Sequence, residues 1–336
     1  MVREECRRIF VADQGEENTQ NGRKKARQDF RIFAAGDRIS LQKEVAIMSQ
    51  ESAYVLFTDT SADMPWGSAK QQIELAHLHY KMDDTAYTYD LGRETDLSAF
   101  YFAMRNGAEV STIPVLPEAF ISLWEPHLIA GRDILMLTLS KHLSRTFVAA
   151  QHAREDLIAR YPKRRIVVVD TLCCAAAQGM LVFEAAFMRR EGRSLDEVAK
   201  WVVENRRYVN ALLLPQDTRW LRAAGLYEGG AIGELMGRRV ILRADANGLL
   251  APERKARSEE DALNALVDAT ERLGYALNKQ VVGVTHADAP ELAKELSELL
   301  IAAGCADATI LPMGPICGTY AGPGAVGVAF FGSSRQ

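Results

Sequence analysis

The chain has 336 residues, of which 48% are hydrophobic and 25% charged, and its formal net charge is −4. These values are typical of a soluble globular protein large enough for two domains, and they carry no charge signature of nucleic-acid binding. No apolar run approaches the length of a transmembrane helix, and the first residues do not resemble a signal peptide.

Five cysteines stand at positions 6, 173, 174, 305 and 317. Their count is odd, two of them are adjacent, and no pair has CxxC spacing, so we expect reduced thiols in a cytoplasmic protein. His77 and His79 form a close pair, but no carboxylate or cysteine cluster stands at ligand spacing beside them. We therefore expect no metal site.

A polar segment with charges of alternating sign, rich in Gln, Asn and Gly, fills residues 1–52. Its apolar residues follow no clear period, and such a composition does not bury enough apolar surface to fold. We therefore expect 1–52 to be a disordered extension.

Strands and helices alternate over residues 54–190, within a first lobe that we predict to span residues 53–205. Apolar strand runs stand at 54–57, 134–139 and 164–170, and helical patterns stand at 97–105, 147–160 and in an Ala-rich segment after residue 170. This alternation predicts an α/β lobe with a mainly parallel sheet. Folds of this kind bind ligands in the loops that follow the strands.

Two of these loops carry polar side chains that could have a chemical role. Asp59 and Asp63 follow the first strand, and a phosphotransfer or hydrolase site could use them, although the residue two positions after Asp59 is Ser61 and not a second Asp. The alternative is that both carboxylates accept backbone hydrogen bonds within the loop. The loop from Ser140 to Thr146 could place hydroxyls and free N–H groups around an anionic ligand head. Ser144 could equally serve as a helix cap.

The second predicted lobe, residues 206–334, has a different pattern. Asn247-Gly248 lies between two short apolar runs, which is a strong signal for a β-hairpin. Amphipathic helices are predicted at 259–279 and 290–303, and strands at 209–214, 281–285, 309–312 and 326–331. The hairpin adds antiparallel pairing, so this lobe is predicted to contain a mixed sheet.

Four glycines and two prolines stand within residues 313–324, directly before the last predicted strand. Gly permits unusual backbone angles and close approach of other groups, and Pro fixes one angle. The segment therefore predicts a rigid turn with Thr319 and Tyr320 at its mouth. It is either a plain connection between strands or a shaped turn that presents the two hydroxyls to a ligand, and its residues alone leave both interpretations open.

Five segments in collinear order resemble motifs of the DegV family of bacterial lipid-binding proteins. They are TDTSADMP (58–65), STIP (111–114), SKHLSRT (140–146), VVDT (168–171) and GPICGTYAGPG (314–324). The resemblance extends from residue 55 to residue 332 and leaves out only the N-terminal extension.

This resemblance implies a two-lobed α/β fold, called the EDD fold, with a ligand tunnel between the lobes. In the family the tunnel holds one long-chain fatty acid, whose carboxylate meets hydroxyls and a histidine. Some members present the acid to a fatty-acid kinase catalytic subunit that forms an acyl phosphate. The resemblance therefore implies a lipid carrier and not an enzyme, with no catalytic residues and no cofactor.

By position, the resemblance assigns carboxylate binding to a set of hydroxyl side chains: Thr112 or its neighbour Ser111, Ser144, Thr319 and Tyr320. Weaker candidates for the head site are Ser140, Arg145 and Thr146.

The chain departs from the family at several of these positions. Tyr320 stands where the family has His, and because Tyr is larger and uncharged, we expect an altered or narrower head site. Arg145 replaces a Gly and Ile113 replaces a Gln. Arg145 could pair with a carboxylate or remain solvated.

A basic stretch surrounds the predicted hairpin. In kinase-linked members a basic segment at this place docks the partner, and the matching residues here are Arg254, Lys255 and Arg257. The alternative is a solvated charged face. Other functions left open are a binding protein for another amphiphile or small anion, and the phosphotransfer or hydrolase enzyme based on Asp59 and Asp63.

Overall fold

The computed structural model describes residues 53–64, 73–228 and 238–336, so the predicted extension 1–52 lies outside the described residues. The strands of the described residues are β1 (Tyr54–Asp59), β2 (Ile73–Ala76), β3 (His79–Met82), β4 (Thr85–Thr88), β5 (Val110–Ile113), β6 (Asp133–Thr138), β7 (Ile166–Asp170), β8 (Val209–Leu214), β9 (Arg239–Ala244), β10 (Leu250–Ala256), β11 (Val281–His286), β12 (Asp307–Pro312) and β13 (Val326–Phe331). The α-helices are α1 (Leu97–Arg105), α2 (Pro117–Ile129), α3 (Thr146–Arg160), α4 (Ala175–Arg190), α5 (Leu195–Asn205), α6 (Arg219–Ala223), α7 (Glu259–Leu273), α8 (Pro290–Ala302) and α9 (Pro315–Ala321). None of these helices is long and apolar enough to cross a membrane.

The first lobe is built on a four-stranded parallel sheet with the strand order β2-β1-β6-β7. Every residue of β1 is buried, as are five of the six residues of β6. Continuous apolar runs of this kind belong to strands that are covered on both faces, and helices supply the cover. The prediction of a parallel sheet in this lobe is confirmed.

A separate antiparallel sheet with the order β4-β3-β5 was not predicted. Its strands have four residues each and carry polar side chains, and all four residues of β4 are exposed. Such short, exposed strands show no clear alternation of apolar and polar residues, which explains why the pattern did not indicate them. This sheet positions β5, on which Ser111 and Thr112 lie.

The second lobe contains a six-stranded sheet with the order β10-β9-β8-β13-β11-β12. The pair β11 and β12 is parallel, and the other neighbouring strands are antiparallel, so the predicted mixed sheet is confirmed. The predicted hairpin is also confirmed, since β9 and β10 pair across the turn at Asn247-Gly248. Asp245 stabilises this turn by accepting hydrogen bonds from the N–H groups of Asn247 (2.8 Å) and Leu249 (2.9 Å).

The helix predicted at 259–279 is shorter than the pattern indicated. It ends at Leu273, and Gly274 forms the C-cap with extended backbone angles. Ala276 then adopts a left-handed conformation with φ of 45°, and Leu277–Lys279 form one 3-10 turn. The apolar periodicity continued across this break because Leu277 still packs against the core of the second lobe.

The two lobes share buried apolar surface. The main core of the first lobe includes Met313, Ile316 and Ala321, which belong by sequence to the second lobe. Helix α4 belongs by sequence to the first lobe, yet it packs on β8, β11 and β13 of the second sheet. The division at residue 205 therefore stays a prediction, and the chain segments around α4 and α9 join the lobes.

Candidate functional site

Polar loops follow β1, β6 and β7 at the carboxyl edge of the parallel sheet, the place where such sheets position ligand-binding residues. Asp59 ends β1 and is completely buried. Its Oδ1 accepts hydrogen bonds from the Ser61 N–H (3.1 Å) and the Gln178 amide (3.2 Å), and Ser61 Oγ lies 2.5 Å away. Its Oδ2 accepts a hydrogen bond from the Leu139 N–H at 2.8 Å.

Burial raises the pKa of Asp59, and the surrounding donors oppose that rise. Both of its oxygens are engaged in holding the loops after β1 and β6, so this carboxylate has a structural role. A nucleophilic carboxylate needs an oxygen that a substrate can reach, and the arrangement around Asp59 leaves none.

Asp63 lies further along the same loop and connects the lobes. Its Oδ1 accepts a hydrogen bond from the Gly314 N–H at 2.9 Å, directly before α9. Among the described residues its Oδ2 has no hydrogen-bond partner, and burial raises the pKa of Asp63 to about 7. This carboxyl group therefore stays partly protonated near neutral pH and fixes the start of α9.

The segment 313–324 differs from the predicted turn, because its central residues form the short helix α9. Gly314 is the N-cap and Pro315 occupies the first helical turn, a position that Pro favours. Thr319 is buried, and its hydroxyl donates to the Pro315 carbonyl at 2.7 Å. The segment reverses direction only after the helix, at Gly322 (φ of 77°) and Gly324 (φ of 86°).

The glycines of this segment allow aromatic rings to pack directly on its backbone. A Cβ at Gly314 would overlap the Tyr89 ring, and a Cβ at Gly318 would overlap the Tyr101 hydroxyl. Tyr101 Oη also donates to the Met313 carbonyl at 2.7 Å. A Cβ at Gly322 would overlap the Trp220 ring. Close approach of other groups therefore explains the glycines, and these aromatic partners were not predicted from the sequence.

Thr112 and Tyr320 are brought together across the lobes. Thr112 Oγ1 and Tyr320 Oη are hydrogen-bonded, although the residues stand 208 positions apart in the chain. Tyr320 is half-buried and packs against Leu221, Val240 and Leu242 of the second lobe. Thr112 is half-buried on β5, whereas the adjacent Ser111 is exposed, as expected when successive strand residues face opposite sides.

A second hydroxyl pair lies in the loop between β6 and α3. Ser144 Oγ accepts a hydrogen bond from the Thr146 N–H at 3.2 Å and lies 3.0 Å from Thr146 Oγ1. Thr146 is buried and Ser144 is half-buried, and Arg145 between them is exposed. The N-cap of α3 is Arg145, which makes no side-chain cap hydrogen bond, so Ser144 is not the predicted helix cap but binds the first helical N–H from one position earlier.

Ser140 has a different environment at the junction of the lobes. It is buried, and its hydroxyl donates to the Asn247 carbonyl of the hairpin turn at 3.2 Å. Arg335, which the sequence did not indicate, reinforces this junction from the C-terminal end. Its guanidinium donates to the carbonyls of Asp245 (2.9 Å), Leu172 (3.0 Å) and Arg206 (2.9 Å).

The basic stretch lies on the exposed face of the hairpin. Arg254 forms ion pairs with Asp268 (2.9 Å) and Asp261 (3.6 Å) of α7, two acidic residues that the sequence interpretation had not placed beside it. In the described part of the chain no ion pair neutralises Lys255 or Arg257. A surface cleft of about 550 Å³ is lined by Arg254, Lys255, Arg257, Ser258 and Asp261. A smaller cleft of about 210 Å³, which Arg254 also lines, lies between the hairpin and α7. The tunnel between the lobes stays a prediction.

Comparisons with known proteins point to one family. A family model described as "Uncharacterised protein, DegV family COG1307" matches residues 54–333. The DegV domain-containing protein CPE0026 of Clostridium perfringens is 31% identical over 287 residues, which cover 84% of this chain and 99% of that protein.

Two solved structures are similar to the chain over most of its length. The Thermotoga maritima protein TM841, described as revealing a fatty acid binding function, is similar with a TM-score of 0.71 and 25% identity, covering 84% of this chain and 100% of that one. The Streptococcus pneumoniae Fatty Acid Kinase (Fak) B3 protein loaded with linoleic acid is similar with a TM-score of 0.72 and 20% identity, covering 83% and 99% of the two chains.

Proposed function

The chain belongs to the DegV family, and from that membership we propose that it binds one long-chain fatty acid and holds the carboxylate beside Thr112 and Tyr320. The descriptions of TM841 and of the Fak B3 protein support this ligand class. The hydrogen bond between Thr112 and Tyr320 is the observation that supports a carboxylate site at these residues. It joins two hydroxyls from different lobes in a half-buried position.

The energetics of such a ligand divide between its tail and its head. A tail of about 14 methylenes gains about 0.8 kcal/mol for each one buried, or roughly 11 kcal/mol before the costs of ordering. The carboxylate loses its water, which costs several kcal/mol unless donors replace that water. Hydroxyl groups at the head site offset this cost and determine which end of the acid is presented.

The geometry ranks the candidate head residues. Thr112 and Tyr320 can turn their hydroxyl hydrogens from each other to a carboxylate without breaking a buried backbone bond. Ser144 and Thr146 form a second, nearly equivalent pair. Ser111 is exposed, and the hydroxyls of Thr319 and Ser140 already donate to carbonyl groups, so these three are weaker candidates.

We propose further that the protein acts as a carrier and not as an enzyme, needs no cofactor, and works in the cytoplasm. Both oxygens of Asp59 are engaged in hydrogen bonds, and this supports a carrier over an enzyme, because the enzymatic alternative depends on that carboxylate. The four cysteines of the described residues are free thiols, which accords with a reducing compartment.

Presentation of the acid to a fatty-acid kinase is the second part of the proposed function. Lys255 and Arg257 would dock the kinase, since Arg254 is already paired with acidic residues of α7. The variant Arg257→Glu should weaken binding of a fatty-acid kinase subunit without lowering the bound lipid. Lys294→Glu, an equally exposed reversal on α8, is the matched control. Equal weakening by both variants would contradict docking at the hairpin.

The experiment that tests the ligand class is mass spectrometry of an organic extract of the purified protein. We expect a co-purifying fatty acid of about 14 to 18 carbons, the size for which tail burial gives tight binding. An extract without lipid from a folded protein that also fails to bind added palmitate would contradict the proposal. A hydrophilic anion in place of the acid would support the alternative of a small-anion binding protein.

A further inference from the structure

Two cysteines from different lobes lie close together. Cys174 is the N-cap of α4, and Cys317 lies in α9, three residues before Tyr320. The Cys174 thiol is the hydrogen-bonding neighbour that, ahead of burial, raises the pKa of Cys317. Both residues are half-buried.

A shared backbone acceptor supports this placement. The Ser61 carbonyl accepts a hydrogen bond from the Ala175 N–H at 2.9 Å and from the Cys317 thiol at 3.5 Å. One oxygen atom therefore anchors both the residue after Cys174 and the Cys317 side chain. Cys174 and Cys317 stand 143 positions apart in the chain, so no local sequence pattern contains this contact.

The loop that carries Cys174 is held in an unusual conformation. Leu172 and Ala175 both adopt left-handed backbone angles, with φ of 55° and 51°. Such angles are rare for residues other than Gly, and they persist where the surroundings impose them, often at functional positions. The two adjacent thiols have different partners. Cys173 Sγ donates to the Arg206 carbonyl at 3.9 Å, and the partner of the Cys174 thiol is Cys317.

We propose that Cys174 and Cys317 form a redox-active dithiol, which a peroxide oxidises to a disulfide that links α4 covalently to α9. The Cys174 sulfur, at the N-terminus of a 16-residue helix, attacks one peroxide oxygen. The O–O bond breaks, and a sulfenic acid forms together with one molecule of water.

The second step joins the two sulfurs. The Cys317 sulfur attacks the sulfenic sulfur, the S–O bond breaks, and a second water leaves. In total the two thiols lose two electrons and two protons, and one hydrogen peroxide is reduced to two waters. The contact with Cys174, together with burial, holds the pKa of Cys317 well above its usual range, so Cys174 is the thiol that reacts first with the peroxide. Cys317 gives up its proton to the departing oxygen as it attacks the sulfenic sulfur.

The chain offers matched controls for this pair. Cys173 is adjacent to Cys174 but faces away, and Cys305 is a buried thiol of the second core. Cys6 lies outside the described residues, so every variant should also carry Cys6→Ser. The reaction then needs only hydrogen peroxide, the folded protein and alkylation of the remaining thiols.

The experiment is peptide mass spectrometry of the trypsin-digested, non-reduced protein after peroxide treatment. The expected product is a disulfide link between peptide 166–189 and peptide 295–335. Two of the four remaining thiols should then no longer react with the alkylating reagent. The link should persist in Cys173→Ser and in Cys305→Ser, and it should disappear in Cys174→Ser and in Cys317→Ser. In Cys317→Ser, Cys174 should instead accumulate a sulfenic acid that dimedone traps.

Other results would overturn the proposal. These are a link that depends on Cys173 or Cys305, an adjacent disulfide between Cys173 and Cys174, a link between two chains, or unchanged thiols after peroxide treatment. Thermal unfolding of each reduced variant checks that it is folded. None of these readouts requires a bound lipid, so the result stands apart from the proposed fatty-acid binding.

Discussion

The Asp59 carboxylate and the hydroxyl pair of Thr112 and Tyr320 show opposite uses of polar side chains. Asp59 is completely buried, and its two oxygens hold the N–H groups of Ser61 and Leu139. Thr112 and Tyr320 are half-buried and are bonded to each other. The carboxylate is completely buried and held by donors on both oxygens, whereas the hydroxyl pair is half-buried and can exchange one partner for another. Saturation by backbone donors, more than position at the sheet edge, separates the structural group from the candidate binding group.

The strongest expected effect is the loss of the Asp59 carboxylate. Asp59→Ala leaves the buried N–H groups of Ser61 and Leu139 without acceptors and removes one of the two acceptors of the Gln178 amide, so we expect a loss of about 4 kcal/mol in the free energy of unfolding. Urea denaturation followed by circular dichroism measures this change.

Asp90 supplies the matched control for that variant. Its carboxylate accepts hydrogen bonds from the N–H groups of Gly92, Arg93 and Glu94, but it lies in a half-exposed loop where water can replace it. Asp90→Ala should therefore cost only about 1 kcal/mol. Equal losses in the two variants would show that burial does not distinguish the two carboxylates.

Asp63 should give the next largest effect, and it should depend on pH. Its pKa rises from 3.8 to about 7 on burial, so the folded protein binds the proton more tightly than the unfolded chain. The stabilising contribution of this group is complete below about pH 4 and is lost as the pH rises to about 7. We expect Asp63→Asn, which does not titrate, to gain about 2 kcal/mol relative to the unmodified protein between pH 5 and pH 8.

Urea denaturation at several pH values measures how the free energy of unfolding of each variant changes with pH. Glu184, whose pKa burial also raises to about 7, titrates in the same range, so Glu184→Gln separates its share from that of Asp63. A difference between Asp63→Asn and the unmodified protein that stays constant with pH would contradict a buried, proton-binding Asp63.

Tyr320→Phe should give the opposite profile from Asp59→Ala. It removes one hydroxyl donor from a half-buried position, so we expect fatty-acid affinity to fall about fivefold to tenfold. The free energy of unfolding should change by less than about 0.5 kcal/mol, since no buried backbone group loses its partner. Isothermal titration with palmitate and urea denaturation measure the two quantities. A loss of stability without a change in palmitate affinity would show that Tyr320, like Asp59, has a structural role and does not bind the ligand.

The smallest effect is expected for Ser111→Ala, which differs from Thr112→Val by one position along β5. Because Ser111 is exposed, palmitate affinity should not change, whereas Thr112→Val should lower it about fivefold. Equal changes in palmitate affinity in the two variants would contradict the assignment of Thr112, and not Ser111, as the residue of β5 that binds the carboxylate.

The elements that could be predicted from the sequence are those with a strong local pattern. The buried runs of β1, β6 and β7 predicted the parallel sheet, and Asn247-Gly248 predicted the hairpin. Short strands with mixed surfaces, such as β3 and β4, gave no such pattern. Helix α9 was missed because its glycines and prolines are typical of a turn, although Pro315 in the first helical turn is a signal that could have indicated it.

The candidate site was predictable only as far as the order of the family motifs allowed. That order predicts one site for Thr112, Ser144 and Tyr320, and it leaves Thr112 and Ser111 as alternatives. The structure brings Thr112 and Tyr320 together, and Ser144 as a member of the same site stays a prediction. The distinction depends on the pairing of β5 with β3, in which Thr112 lies opposite Tyr80. The packing of Tyr89 and Tyr101 on Gly314 and Gly318 joins residues more than 200 positions apart, and no local pattern contains such contacts.

The most direct test of the account is carbon-13 NMR of bound palmitate that is labelled at its carboxyl carbon. If the carboxylate lies beside Thr112 and Tyr320, the bound resonance should shift in Tyr320→Phe and in Thr112→Val and stay unchanged in Ser111→Ala. An identical bound resonance in all three variants and in the unmodified protein would contradict the placement of the ligand head between these two hydroxyls.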